Sequence, residues 1–226
     1  MKRFLWVSLA IVTGAALLLW VLGVHRLFFA PSAPLHEAAF SGDLEAIARL
    51  LDRDPSAKNE LATFFVDPRR STITPLMWAV EGGKAQSVRT LLDRGADVNI
   101  TDRLGRTALH LAAGAGDAAI VRQLVDAGAD ISRRTPAHGS PLEIAVRGSH
   151  DEVVALLMRE GADIEDRRSS ARFAAADFGS ARSMQLLLDS EPAPSREELE
   201  KLLRRAETRA ARDGAEVADV IRSHLQ

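Results

Sequence analysis

The decisive stretch is Thr107-Ala108-Leu109-His110-Leu111-Ala112-Ala113-Gly114-Ala115-Gly116-Asp117, followed by Ala118-Ala119-Ile120-Val121-Arg122-Gln123-Leu124-Val125-Asp126-Ala127-Gly128-Ala129-Asp130-Ile131. Leu109, Ala112 and Ala113 lie at i, i+3 and i+4, the spacing of one helical face. Gly116 breaks that pattern, and Ile120, Val121, Leu124 and Val125 form a second apolar stripe. Gly128 is placed to end the second helix in the left-handed conformation that glycine adopts without a Cβ penalty. Two such short helices cannot bury their stripes alone, so the unit demands neighbours.

The neighbours stand 33 residues away on either side. Gly95-Ala96-Asp97-Val98, Gly128-Ala129-Asp130-Ile131 and Gly161-Ala162-Asp163-Ile164 recur at that interval. Thr74-Pro75-Leu76, Thr107-Ala108-Leu109 and Ser140-Pro141-Leu142 recur with them, each a helix start with a hydroxyl cap. Ala79, Ala112 and Ala145 align, as do Leu91, Leu124 and Leu157. A fixed period at this many positions is the signature of a stacked repeat array.

The pattern resembles the ankyrin repeat family, whose T-P-L-H-x-A signature reads here as Thr74-Pro75-Leu76-Met77-Trp78-Ala79, Thr107-Ala108-Leu109-His110-Leu111-Ala112 and Ser140-Pro141-Leu142-Glu143-Ile144-Ala145. The resemblance implies an all-α, ankyrin-type helix-turn-helix solenoid with short loop or hairpin fingers, and it implies binding of a protein partner. Upstream, Leu35, His36, Ala38, Ala39, Ile47, Leu50 and Leu51 copy one unit, with eight extra residues before the next. Downstream, Ala174 to Ala176 and Met184 to Leu188 form a degenerate unit three residues short, with Arg172 in the usual Leu position. The stack therefore takes residues 32–190 in about five units, the first and last atypical. Residues 191–226, opening on a Ser195-x-x-Glu198 capping-box spacing, read as a polar helix pair that caps it.

Charge is distributed unevenly. Three of the 29 bases (Lys2, Arg3 and Arg26) and none of the 31 acids fall in residues 1–31, leaving 26 bases against 31 acids in the body. The leader is thus +3 and the body −5. Residues 4–24 carry no charge, and at 1.5 Å per residue such a helix spans roughly 30 Å, the hydrocarbon thickness of a bilayer. Phe4 and Val24 bound the run, and Trp6 and Trp20 lie near its ends, where indole rings favour the interface. The run is longer than a signal-peptide core, and the following stretch from His25 to Pro31 offers no clean cleavage site, so an uncleaved N-terminal transmembrane signal anchor is expected. Positive-inside bias leaves the N-terminus cytoplasmic and the repeats on the far side, the periplasm in a bacterium. Ala10 and Gly14 form a small-xxx-small pair, but a plain anchor explains the span without it.

Chemistry is sparse. With no cysteine there is no disulfide, thiolate metal site or cysteine nucleophile. A net charge of −2 lacks the basic excess of a nucleic-acid binder. Phosphate-loop, zinc-protease and nucleophile-elbow motifs are absent. His36 and His110 occupy the signature's His position, which assigns them to turn hydrogen bonds rather than to catalysis. No enzyme activity, cofactor or metal is expected.

Arginine is the exception. Every finger carries two: Arg69 and Arg70, Arg103 and Arg106, Arg133 and Arg134, Arg167 and Arg168. The family resemblance adds Leu104 on the central finger and Glu81, Ala115 and Arg147 on the first helices to the binding surface. A row of arginines suits an acidic partner, because each guanidinium fork matches a carboxylate or phosphate bidentately. Solvated fingertips with ordinary surface charge account for the same residues. The expected function is a membrane-anchored interaction scaffold. The alternative is an Arg-lined surface docking on anionic lipid headgroups or cell-wall polymer.

Overall fold

The computed structural model describes residues 34–62, 72–166, 169–190, 192–210 and 215–226. Six helix pairs follow one another among them. The first is α1 (Pro34–Ser41) and α2 (Leu44–Arg53), followed by a 3-10 turn at Pro55–Asn59. Then come α3 (Pro75–Glu81) with α4 (Ala85–Asp93), α5 (Ala108–Ala115) with α6 (Ala118–Asp126), and α7 (Pro141–Arg147) with α8 (Asp151–Arg159). The last two pairs are α9 (Ala171–Phe178) with α10 (Ala181–Leu188), and α11 (Arg196–Ala210) with α12 (Ala215–Leu225). Between α8 and α9 a two-stranded antiparallel ladder, β1 (Glu165–Asp166) with β2 (Ser169–Ser170), makes a finger hairpin. The bridges Ala62–Ile73 and Thr135–Gly139 close two other fingers.

Local chemistry sets the helix ends. Thr74 Oγ1 accepts from Met77 N at 3.2 Å, and Ser140 Oγ accepts from Glu143 N at 3.3 Å. Asp117 Oδ1 does the same for Ile120 N at 3.0 Å at the start of α6, whereas α4 and α8, which begin after Lys84 and His150, have no side-chain cap. At the other end Gly95, Gly128 and Gly161 take φ of 76°, 85° and 88°. Each is followed by an alanine whose N–H returns to the leucine five residues earlier: Ala96 to Leu91, Ala129 to Leu124, Ala162 to Leu157. These are three copies of one Schellman stop, 33 residues apart.

Helices of seven to ten residues are unstable alone, and the stack supplies what they lack. The first helices form one row, α1–α3–α5–α7–α9–α11, each packed on the next. The second helices form a parallel row, α2–α4–α6–α8–α10–α12. One continuous core runs between the rows, and the aligned Leu76, Leu109, Leu142 and Leu91, Leu124, Leu157 are buried in it. Small Ala79, Ala112 and Ala145 let the first helices approach closely. Polar contacts tie neighbouring units together: Asn99 Oδ1 accepts from Asp130 N at 2.8 Å, and His150 Nε2 bonds Gly114 O at 3.0 Å.

Arg172, where the other units carry leucine, is 0% exposed. Its Nε donates to Leu187 O at 3.0 Å, and NH2 donates to Ser190 O at 3.4 Å and Pro192 O at 2.5 Å. Glu198 Oε1 stands 3.6 Å from NH1. The guanidinium thus satisfies free carbonyls at the end of α10 and in the link to α11, which is why it is tolerated inside the stack.

Among the described residues no helix is long and apolar enough to cross a membrane. The apolar run at 4–24, with Phe4, Trp6, Trp20 and Val24, lies outside them.

Candidate protein-interaction surface

The fingers are built from tight turns with a carboxylate at the root. In the central finger Asp102 Oδ1 accepts from Leu104 N at 2.9 Å and Arg106 N at 2.8 Å, while Oδ2 accepts from Arg106 Nε at 2.8 Å. Asp102 is buried, and Gly105 supplies the positive φ at the tip. Arg106 is therefore held inward, its side chain 22% exposed.

The next finger reaches the same outcome by another route. Glu143, in the signature's His position, is buried at the start of α7. Its Oε1 accepts from Arg134 NH1 at 2.6 Å, and Oε2 lies 3.4 Å from Arg147 NH2. Arg147 NH1 also donates to His138 O at 2.8 Å, pinning the fingertip to its own helix. The tip glycine has moved one place on: His138 stands where the central finger has Gly105, and Gly139 takes φ 80°. A Cβ at Gly139 would stand 1.9 Å from Glu143 Oε2, so the buried carboxylate and the glycine require one another.

Each of these two fingers thus divides its pair of arginines. Arg106 and Arg134 fold back on Asp102 and Glu143, whereas Arg103 and Arg133 are exposed and carry no ion pair among the described residues. On these two fingers a buried carboxylate holds one guanidinium of each expected pair. Arg147, expected on the binding face, is engaged in the same network. Leu104 is half-buried, and Ala115 is exposed. Arg69, Arg70, Arg167 and Arg168 lie outside the described residues.

His36 and His110 serve as structural hydrogen-bonding groups. Thr107 N and Oγ1 both meet His110 Nδ1, at 3.2 and 2.9 Å, which makes Nδ1 the acceptor and puts the ring proton on Nε2. His36 Nε2 donates to Ile73 O at 2.9 Å. Burial pushes both imidazoles down to about 4, with backbone hydrogen bonds offsetting part of the shift. Asp97 and Asp130 each close their own turn, accepting from Asn99 N and Ser132 N at 2.9 and 3.0 Å. The 33-residue interval repeats a structural role and does not gather these carboxylates at one centre.

Sequence reading missed the importance of Glu143. The available signal was its place in the His position of the signature, where a buried acid needs cations nearby. It also missed the edge-to-face pair of Phe40 and Trp78, centroids 5.0 Å apart, on the first-helix row.

The family model described as ankyrin repeats in three copies matches residues 35–135 and 76–168. The chain belongs to the ankyrin repeat family. Among known proteins, this ankyrin stack is 39% identical over 92 residues to inversin of Canis lupus familiaris, covering 39% of this chain and 8% of inversin. It is 34% identical over 110 residues to the dauer abnormal formation protein 25 of Caenorhabditis elegans, covering 37% of this chain and 28% of that one. The chain therefore spans a small part of these relatives' length. The crystal structure of the human ASB11 ankyrin repeat domain superposes with a TM-score of 0.67 at 26% identity, covering 85% of this chain and 84% of that one. An ankyrin stack is a protein–protein interaction domain, and its repeats make a binding scaffold.

Proposed function

We propose that this chain is a membrane-anchored scaffold that holds an acidic protein partner against its fingers and first-helix row. The observation that carries the reading is the pair of exposed guanidiniums of Arg103 and Arg133 on successive fingers, neither of which makes an ion pair among the described residues. The other arginines of those fingers answer internal carboxylates, so among the described residues these two stand out as the finger cations not held in this way. A cation on the rim of an interface speeds encounter and selects an acidic partner more than it deepens affinity. The uncharged run at 4–24 and its flanking bases support an anchor in the cytoplasmic membrane with the repeats on the far side.

Cross-linking the intact chain and purifying it recovers the partner. Changing Arg103→Glu and Arg133→Glu together is expected to weaken capture of that protein by about tenfold at low salt, and less at high salt. Unchanged capture sinks the electrostatic reading. Flotation of residues 34–226 with phosphatidylglycerol vesicles distinguishes the lipid alternative: binding there, lost in the double variant, would transfer the role of the arginines to headgroups. A reporter fused after Gln226, active on one side only, decides the topology.

A further inference from the structure

The helix α12 packs on α10 and α11, with Val217, Ala218 and Ile221 buried in the core. At the end of this contact His224, in the last turn of α12, reaches the C-cap of α10. Its Nε2 lies 3.1 Å from Asp189 Oδ1, and its Nδ1 lies 3.0 Å from Val220 O. An ionised carboxylate and a backbone carbonyl accept hydrogen bonds and cannot donate them. A neutral imidazole has one N–H and satisfies only one of these two partners. The imidazolium donates to both. Ser223 Oγ, 3.3 Å from Nδ1, leaves that count unchanged, because it donates its own proton to Val220 O at 2.7 Å.

The surrounding charges favour the same state. Gln185 Nε2 donates to both oxygens of Asp189, at 2.9 and 2.8 Å, and together with His224 holds that carboxyl below its ordinary value. Asp189 is therefore ionised wherever the imidazole titrates. On α11, Glu207 is engaged by Arg222 NH2 at 2.7 Å, and Arg222 NH1 meets Asp219 on α12 itself. Among the described residues Asp189 is thus the charged group that meets the ring. The backbone bond to Val220 and then Asp189 raise the histidine above its ordinary value of 6.5, against a smaller opposing effect of burial. A cation in the last turn also suits the negative end of the helix dipole.

We propose that His224 is a pH-operated latch, its imidazolium bridging Asp189 and Val220 to hold α12 closed on α10. The latch is complete below the unfolded pKa and is lost as pH rises through the raised folded value. Its release lets α12 lift Val217, Ala218 and Ile221 out of the core more often. The sense is opposite to that of the buried His36 and His110, and it does not depend on what the fingers bind. Amide exchange on the full chain, corrected for intrinsic rates, tests it. Protection at Val220 and Ile221 is expected to fall about threefold between about pH 5.5 and about pH 8. His224→Gln should show the weaker protection at both values, since its amide takes up no proton. The NMR titration midpoint of the His224 ring should drop in Asp189→Asn. The proposal is overturned by equal wild-type protection at the two pH values, by the same pH dependence in His224→Gln, or by a midpoint that Asp189→Asn does not move.

Discussion

His110 shows how a residue typical of active sites becomes a part of the scaffold. Both hydrogen-bond donors of Thr107 converge on Nδ1, and the ring is shut away from water, so the neutral form is the one the fold accommodates. The folded pKa of about 4 lies below the ordinary histidine value of 6.5, and His36 behaves alike. The stability these rings contribute is therefore complete above pH 6.5 and is lost as pH falls toward 4. The loss amounts to roughly 3 kcal/mol for each ring. Urea unfolding of the wild type between pH 7 and 4 should show a steep fall in midpoint, and His110→Gln should remove about half of the slope. An unaltered slope in that variant would falsify the assignment. His224 works in the opposite sense: its backbone bond to Val220 and its contact with Asp189 raise its pKa, so its contribution is present below the unfolded pKa and fades as pH rises through the raised value.

At the scale of the element, short helices are held in place by their ends. The stop at Gly128 can be isolated, because a Cβ added there meets nothing within 4 Å, so Gly128→Ala introduces only the left-handed strain of φ 85°. A loss of about 1 kcal/mol is expected, read as a lower unfolding midpoint with unchanged helix content. Gly139→Ala should cost more, since it also displaces a buried carboxylate. The helices, their caps and their stops were legible in the sequence: Thr74, Ser140 and the Gly-Ala-Asp stops act through neighbours a few residues away. The finger arginines were legible only as a spacing. Arg134 and Glu143 are nine residues apart, and whether they meet depends on how the finger folds back over α7.

For the molecule as a whole, a solenoid is stable only as far as its interfaces are filled. Arg172 joins the degenerate fifth unit to α11 through three backbone carbonyls and Glu198. Arg172→Ala is expected to cost about 3 kcal/mol or more, because it orphans buried acceptors and opens a void. Calorimetry should then show the last two pairs melting ahead of the rest, and a single undivided transition would count against that joint. Sequence reading placed Arg172 in a leucine slot of a degenerate unit. The carbonyls that make it a joint come from Leu187, Ser190 and Pro192, 15 to 20 residues away, where no periodicity points.

The repeat, its 33-residue period, its helix boundaries and the face each helix buries were determined by the amino-acid sequence, because apolar spacing, hydroxyl caps and glycine stops act within a single unit. Only the tertiary structure decided which finger arginines a buried carboxylate holds, and how a charged side chain serves inside the core. Each of these depends on desolvation and on partners brought close by stacking, and neither exists until the units are assembled.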